Sequence, residues 1–228
     1  MSIPVIINNF NLLSYPKQMI EHISKFDNIG DIIIIDNSST YEPLLEWYLT
    51  KPCKVIKVEL SSHLSPWLIQ LPETLGSEFY VTSDPDLDLS TTPRDTLLFL
   101  REKMIQYKEY DKIGLGLNNW NVSTDSPYHT FLKEWASHTW REESIKDGLL
   151  TAHQIDTTFA IYNLNRNPRG SSCATYNPYS VNHIPWDFTS NYLNNLKELN
   201  YEYYYYLCNA NKSTGASTYK SFINFRSR

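Results

Sequence analysis

Asp84, Asp86 and Asp88 fall at every second position of the stretch FYVTSDPDLDLS, directly behind a run of strand-forming residues. Carboxylates set this close repel one another. A divalent cation turns that repulsion into attraction, because a hard metal ion needs several oxygen ligands from a small volume. The spacing does not choose the metal, and two overlapping registers, Asp84-Pro85-Asp86 and Asp86-Leu87-Asp88, stand open. A calcium loop of the EF-hand type fits poorly: counted from Asp84, the sixth residue is Leu89 instead of glycine and the twelfth is Asp95 instead of glutamate.

The elements that position these acids follow from periodicity. Ile3 to Asn8 reads as a first strand, and Met19, Ile20, Ile23 and Phe26 then recur at helical spacing. The four isoleucines Ile32–Ile35, bounded by acids, suit a strand covered on both faces, as in a parallel sheet. YEPLLEWYL leading into CKVIKVEL, and PWLIQLPETL leading into EFYVTS, extend the pattern to βαβαβαβ. TTPRDTLLFLREKMIQYK then predicts a helix capped at Thr91 or Thr92, and KIGLGLN a further strand. Beyond Asn118 the signal weakens: HQIDTTFAIYN reads as strand, WDFTSNYLNNLKEL as helix, and EYYYYL as either strand or buried helix.

Composition narrows the function classes. Twenty-five acids against 20 Lys and Arg give a net charge of −5 over 228 residues, which argues against nucleic acid as the main partner. Any bound phosphate must then be held by metal or by backbone. No apolar run approaches the length of a membrane span, and the opening MSIPVIINNFNLL lacks the features of a secretory signal. Cys53, Cys173 and Cys208 are odd in number and widely spaced, as expected of reduced thiols in a cytoplasmic protein.

In an open α/β sheet, ligands collect at the carboxyl ends of the strands. Three polar groups sit there: Asn8 and Asn9 after the first strand, Asp36-Asn37-Ser38-Ser39 after the second, and Asp84 to Asp88 after the fourth. This ordered set resembles the nucleotide-sugar glycosyltransferases of the GT-A fold. The similarity to the family 2 enzymes runs through YPKQMIEHISKF, IIIIDNSSTYEPLLEWY, SDPDLDLS, IDTTFAIY and HIPW, from about residue 3 to 188. The chain is also similar to the N-terminal glycosyltransferase module of a chlorovirus capsid-glycan protein, for which the compartment would be the host cytoplasm.

The resemblance implies an α/β, Rossmann-like GT-A domain with a mostly parallel central sheet and helices on both faces. Residues 1–118 would form a nucleotide-binding half and 119–228 an acceptor-side half. Asp36 resembles the acid that binds uracil or its ribose, with Asn8, Asn9, Asn37 and Ser38 lining the same pocket; an Asx turn ending the strand is the other reading of Asp36. Asp84 matches the acid that contacts ribose or sugar, and Asp86 the ligand of Mn2+ or Mg2+, with Asp88 available in the second register. His183 resembles a late histidine that completes the ion's coordination, or it simply donates to a carbonyl. His63 and Trp67 fall where the donor sugar or diphosphate approaches, although tryptophan is often core.

Asp156 is the candidate general base that deprotonates the acceptor, and it reads equally as a strand-start acid paired with Arg166. Glu134 and Asp187 are weaker substitutes. Basic residues around a diphosphate are sparse, with Arg166 and Arg169 the nearest pair. The implied activity is an inverting, metal-dependent transfer of a hexose or deoxyhexose from a UDP-sugar to a hydroxyl of a glycan or glycoprotein. Two alternatives remain. A sugar nucleotidyltransferase wants a Gly-rich phosphate loop, which INNFNLL does not supply. A carbohydrate- or calcium-binding module would use the acids structurally.

Overall fold

The isoleucine run lies in the interior of a parallel sheet, where its β-branched side chains are covered on both faces. In this computed structural model, which describes residues 2–59, 64–118, 122–139, 145–150, 155 and 158–210, β1 (Ile3–Asn9) lies between β2 (Ile29–Asp36) and β4 (Phe79–Ser83). All are parallel, and β3 (Lys54–Lys57) extends the same set beyond β2. Pro4 has no amide to give the ladder, and the register shifts between Ile3 and Val5. Opposite that irregularity Gly30 packs so closely that a Cβ would stand 2.9 Å from the backbone of Ile3 and Pro4.

Strict alternation builds two cores. Val5, Ile7, Ile34 and Val81 face α1 (Ser14–Ile23), α2 (Glu42–Leu49) and α4 (Thr96–Gln106) through Met19, Ile23, Leu44, Leu97, Leu100 and Met104. Ile6, Ile33, Ile35 and Tyr80 face the opposite way, toward Leu71 and Trp67 beside the short α3 (Ser65–Leu68). Helices do flank both faces, but unequally: α3 is a single turn where the other face carries three full helices. Each fully buried Ile or Leu contributes about 1.5–3 kcal/mol, so these faces hold the strand ends in place.

The later half joins the same sheet antiparallel to β4. β10 (Ala160–Asn163) separates β4 from β6 (Lys112–Gly114), β11 (Ser172–Thr175) follows, and β9 (Leu149–Leu150) and β8 (Ile145–Lys146) complete a nine-stranded order β3-β2-β1-β4-β10-β6-β11-β9-β8. The sheet is thus parallel across its first four strands and mixed beyond them. KIGLGLN is split where the reading predicted one strand. Leu115 turns its amide to Phe159, and β7 (Gly116–Leu117) leaves for a second sheet with β12 (Ser180–His183) and β5 (Leu87–Asp88).

Other expectations shift in detail. α4 begins after Asp95, later than Thr91 or Thr92, because Thr92 and Thr96 are tied into turns with Leu89 and Pro93. A helix α5 (His129–Thr139) lies where no element was predicted. WDFTSNYLNNLKEL breaks into a 3-10 turn at Ile184–Asp187, α6 (Ser190–Asn194) and α7 (Leu196–Leu199). The tyrosine run forms α8 (Tyr201–Asn209), capped by the Asn200 side chain on the Tyr203 amide, with Tyr203 and Leu207 buried one turn apart. No helix among the described residues is long and apolar enough to cross a membrane.

Candidate functional site

The carboxyl ends of β1, β2 and β4 lie side by side, and the loops leaving them form two distinct clusters. In the first, Asn37 closes the seam between β1 and β2. Its Nδ2 donates to Asn8 Oδ1 at 2.8 Å and to the Asn9 carbonyl at 3.1 Å, while Ser65 donates to its Oδ1 at 2.5 Å. Asn9 donates to the Leu12 carbonyl and to the Tyr48 hydroxyl. Asn11, at φ 52°, accepts the Thr40 and Tyr41 amides at 2.7 and 3.0 Å, tying the loop after β1 to the loop after β2. Ser38 also adopts a left-handed φ of 62°, and its hydroxyl donates to the Val58 carbonyl. Such backbone strain in a non-glycine residue persists only where the surroundings over-determine it.

Asp36 sits within this cluster, 1% exposed. Oδ2 accepts the Ser39 amide at 3.3 Å, the Asx turn that was the alternative reading, whereas Oδ1 is buried with no hydrogen-bond partner among the described residues. Burial pushes its carboxyl above the usual range, with Ser39 and Lys57 offsetting only part of that shift. A lone buried carboxylate oxygen is costly, and a donor from a ligand would relieve it. Asn37 is buried and spent on the protein's own bonds; Asn9 is buried with its Nδ2 spent and its Oδ1 without a hydrogen-bond partner among the described residues, and Asn8 and Ser38 are the more accessible members.

The second cluster is built by the small sheet. β5 runs antiparallel to β12, pairing Asp88 with Asn182 and Leu87 with His183, and the Ile184 amide donates to the Asp86 carbonyl at 2.9 Å. That register brings His183 Nε2 to 3.2 Å from Asp86 Oδ2. Burial pushes the Asp86 carboxyl up, but the facing imidazole overrides it and holds it below its ordinary value. Burial likewise pushes His183 down, and Asp86, with Asp84 and Asp187 further out, holds it above. Both shifts have one origin, the mutual attraction of Asp86 and His183, and a metal ion bound there would take the place of the proton on the ring. Asp88 turns away, its Oδ1 accepting the Ser90 amide at 2.9 Å.

Among the described residues no group of three His, Cys, Asp or Glu side chains is gathered around one point as a metal site. Asp86 and His183 are the two side chains at this point that could offer an ion a carboxylate oxygen and an imidazole nitrogen. A carboxylate with diphosphate oxygens and water suits Mn2+ or Mg2+, and an added imidazole favours Mn2+ over the harder Mg2+. Asp86, which both registers share, is the acid that faces His183.

The remaining predicted residues scatter. Trp67 packs against Tyr162 with centroids 5.2 Å apart and donates to the Tyr80 hydroxyl, on the sheet face that holds Tyr80 and Ile6. Glu134 and Asp187 are exposed. Arg166 donates to the carbonyls of Met104, Tyr107 and Tyr110 at the end of α4, while Arg169 is exposed. His63 and Asp156 lie outside the described residues. The sequence reading missed Asn11, Ser65 and Glu202. Asn11 stands in the polar run NNFN and was open to notice, but nothing local marks Ser65 or Glu202.

No protein-family model matches the chain, and no curated protein matches it in sequence. Solved structures do match in shape. A mannosyltransferase from Pyrobaculum calidifontis, in complex with GDP-Man and Mn2+, aligns over 98% of this chain and 70% of its own, at 10% identity and a TM-score of 0.52. Glucosyl-3-phosphoglycerate synthase from Mycobacterium tuberculosis, in complex with Mn2+, UDP and glucosyl-3-phosphoglycerate, aligns over 71% of this chain at 12% identity and a TM-score of 0.45. The chain spans 56% of that synthase. A CMP:2-keto-3-deoxy-manno-octonic acid synthetase complexed with CTP aligns over 55% of this chain and 61% of its own, at 10% identity and a TM-score of 0.38. At these identities the likeness speaks for the fold, and the chain has the mixed α/β, GT-A-like fold of the mannosyltransferase.

Proposed function

We propose that this protein is a metal-dependent glycosyltransferase that moves a hexose or deoxyhexose from a UDP-sugar to a glycan hydroxyl with inversion. One observation carries the reading: Asp86 and His183, brought together by β5 and β12, stand at the carboxyl end of the sheet beside the cluster that holds the orphaned Asp36 Oδ1. Asp36 would take a donor group of the nucleobase or ribose, Asn8 and Ser38 would line the same pocket, and Asp84 would contact ribose or sugar. Asp86 and His183 would hold Mn2+ or Mg2+. When bound, such an ion neutralises the charge that grows on the leaving diphosphate.

A second feature supports a metal. A helix N-terminus is the usual backbone site for phosphate. Here the first amides of α1, Leu13 and Ser14, are already taken by the Glu202 carboxylate at 2.6 and 2.8 Å. With few basic side chains at hand among the described residues, a cation is the counter-charge this reading calls on. Asp156 remains the proposed general base for the acceptor hydroxyl.

Calorimetry with UDP and Mn2+, alone and together, tests the reading, with GDP in a parallel arm. The transferase should bind UDP far better with metal. A carbohydrate or calcium module would ignore UDP, and affinity that is independent of both metal and Asp86 would refute the proposal. Donor hydrolysis across a panel of nucleotide sugars then identifies the sugar.

A further inference from the structure

Three side chains at the start of α8 reach across to the two loops that surround Asp36. Glu202 Oε1 accepts the amides of Leu13 and Ser14 and the Ser14 hydroxyl, at 2.6, 2.8 and 3.1 Å. Asn200, the cap of α8, donates to the Tyr15 hydroxyl at 3.3 Å. One turn past Glu202, on the same side of the helix, the Tyr205 hydroxyl lies 3.0 Å from Thr40 Oγ1, and its ring centroid is 5.3 Å from that of Tyr41.

Packing follows the same line. Tyr203 and Leu207 are buried with Leu12 and Tyr15, and Tyr206 meets Phe10 edge-on at 6.3 Å. The helix therefore touches Phe10–Tyr15 after β1 and Thr40–Tyr41 after β2. Asn11 ties those two segments to each other. Both loops contain left-handed residues, Asn11 and Ser38, which hold their conformation only under external constraint.

We infer that α8 is a brace for the nucleotide side of the site, with Glu202 and Tyr205 as positioning residues that act through the loops after β1 and β2. The consequence for ligand binding rests on the proposed nucleotide site, whereas the effect on the loops does not. Glu202 fixes the helix to the start of α1, and Tyr205 transmits that anchorage to the second loop. A pocket set in advance binds more tightly, because the ligand does not have to order it.

Hydrogen exchange on the full chain tests the brace without any ligand. Glu202→Ala should speed exchange at the amides of Asn11, Leu13, Ser14, Thr40 and Tyr41 by about tenfold and leave the β1 and β4 ladders unchanged. Glu202→Gln keeps the accepting oxygen and should restore protection, and Tyr205→Phe should loosen Thr40 and Tyr41 alone. Unchanged exchange at Thr40 and Tyr41 in Glu202→Ala would overturn the inference. In the binding arm, Glu202→Ala should weaken UDP, measured with Mn2+, by about tenfold. Arg166→Ala, which removes the cap of α4, is the control for lost stability. Equal weakening in both variants, at equal loss of thermal stability, would leave Glu202 merely structural and overturn its positioning role. If the unaltered protein binds no UDP, the nucleotide reading fails, while the exchange arm still decides on the brace.

Discussion

The two clusters at the sheet's carboxyl end are held in opposite ways. Around Asn37 most side-chain amides and hydroxyls are tied to one another, so the proposed nucleotide side is a network bound into the fold, with Asn9 Oδ1, Asn11 Nδ2 and Asp36 Oδ1 left over. Around Asp86 the backbone does the holding, through the β5–β12 ladder, and the side chains add the Asp86–His183 pair. Such a network ties binding to stability. A charge pair on an independent ladder is open to a ligand, and its loss leaves the ladder's backbone bonds in place.

The largest effect should come from Asp86→Asn. UDP affinity in the presence of Mn2+ should fall about a hundredfold, roughly 2.8 kcal/mol, with no change in the affinity measured without metal. Calorimetry checks this, and an equal loss in both conditions would erase the distinction between the clusters. Asn37→Ala comes next. It removes the side-chain bonds to Asn8, the Asn9 carbonyl and Ser65 at once, while the backbone amide of residue 37 still donates to that carbonyl, so urea unfolding should show about 2 kcal/mol of lost stability. Its remaining UDP binding should still respond to metal. Ser65→Ala removes one buried bond from the same network and should cost about 1 kcal/mol by the same measurement.

The smallest effect concerns pH. Burial raises the Glu202 carboxyl above its ordinary value, with the Ser14 and Leu13 amides offsetting part of that. The stability its protonated form confers is complete below the ordinary carboxylate range and is lost as pH rises through the raised value. Glu202→Gln, neutral throughout, should therefore be at least as stable as the parent near neutrality, and the gap should close as the solution is acidified. Denaturant midpoints for the pair across that window check the sign. A parent more stable than Glu202→Gln near neutrality would mean that the carboxylate, not the accepting oxygen, holds the helix.

Much of the first half was legible in the chain itself. The isoleucine run, the helical spacing of Met19 and Ile23, and the apolar residues before Asp84 report burial on one or two faces, and burial is what periodicity records. The same reasoning set polar residues at three strand ends and ranked the acid cluster among them. It failed where a residue's role depends on its partner. KIGLGLN is apolar throughout, so nothing in its pattern marks the point at which Leu115 turns to Phe159 and the strand changes sheets. Trp67 reads as a sugar platform or as core, and only the fold shows Tyr80 and Tyr162 packed against it while part of it stays exposed.

Local composition thus determined the parallel strands, the helices packed on them and the place where charge gathers, because each depends on side chains a few positions apart. Tertiary structure alone decided that β12 would bring His183 to Asp86 while Asp88 turned aside. It also decided that Glu202 would fill the first turn of α1, a contact spanning 189 positions. Pairings of that kind form only once the sheet is assembled, since register and crossing are set by the packing of whole elements, and no short window of sequence contains both partners.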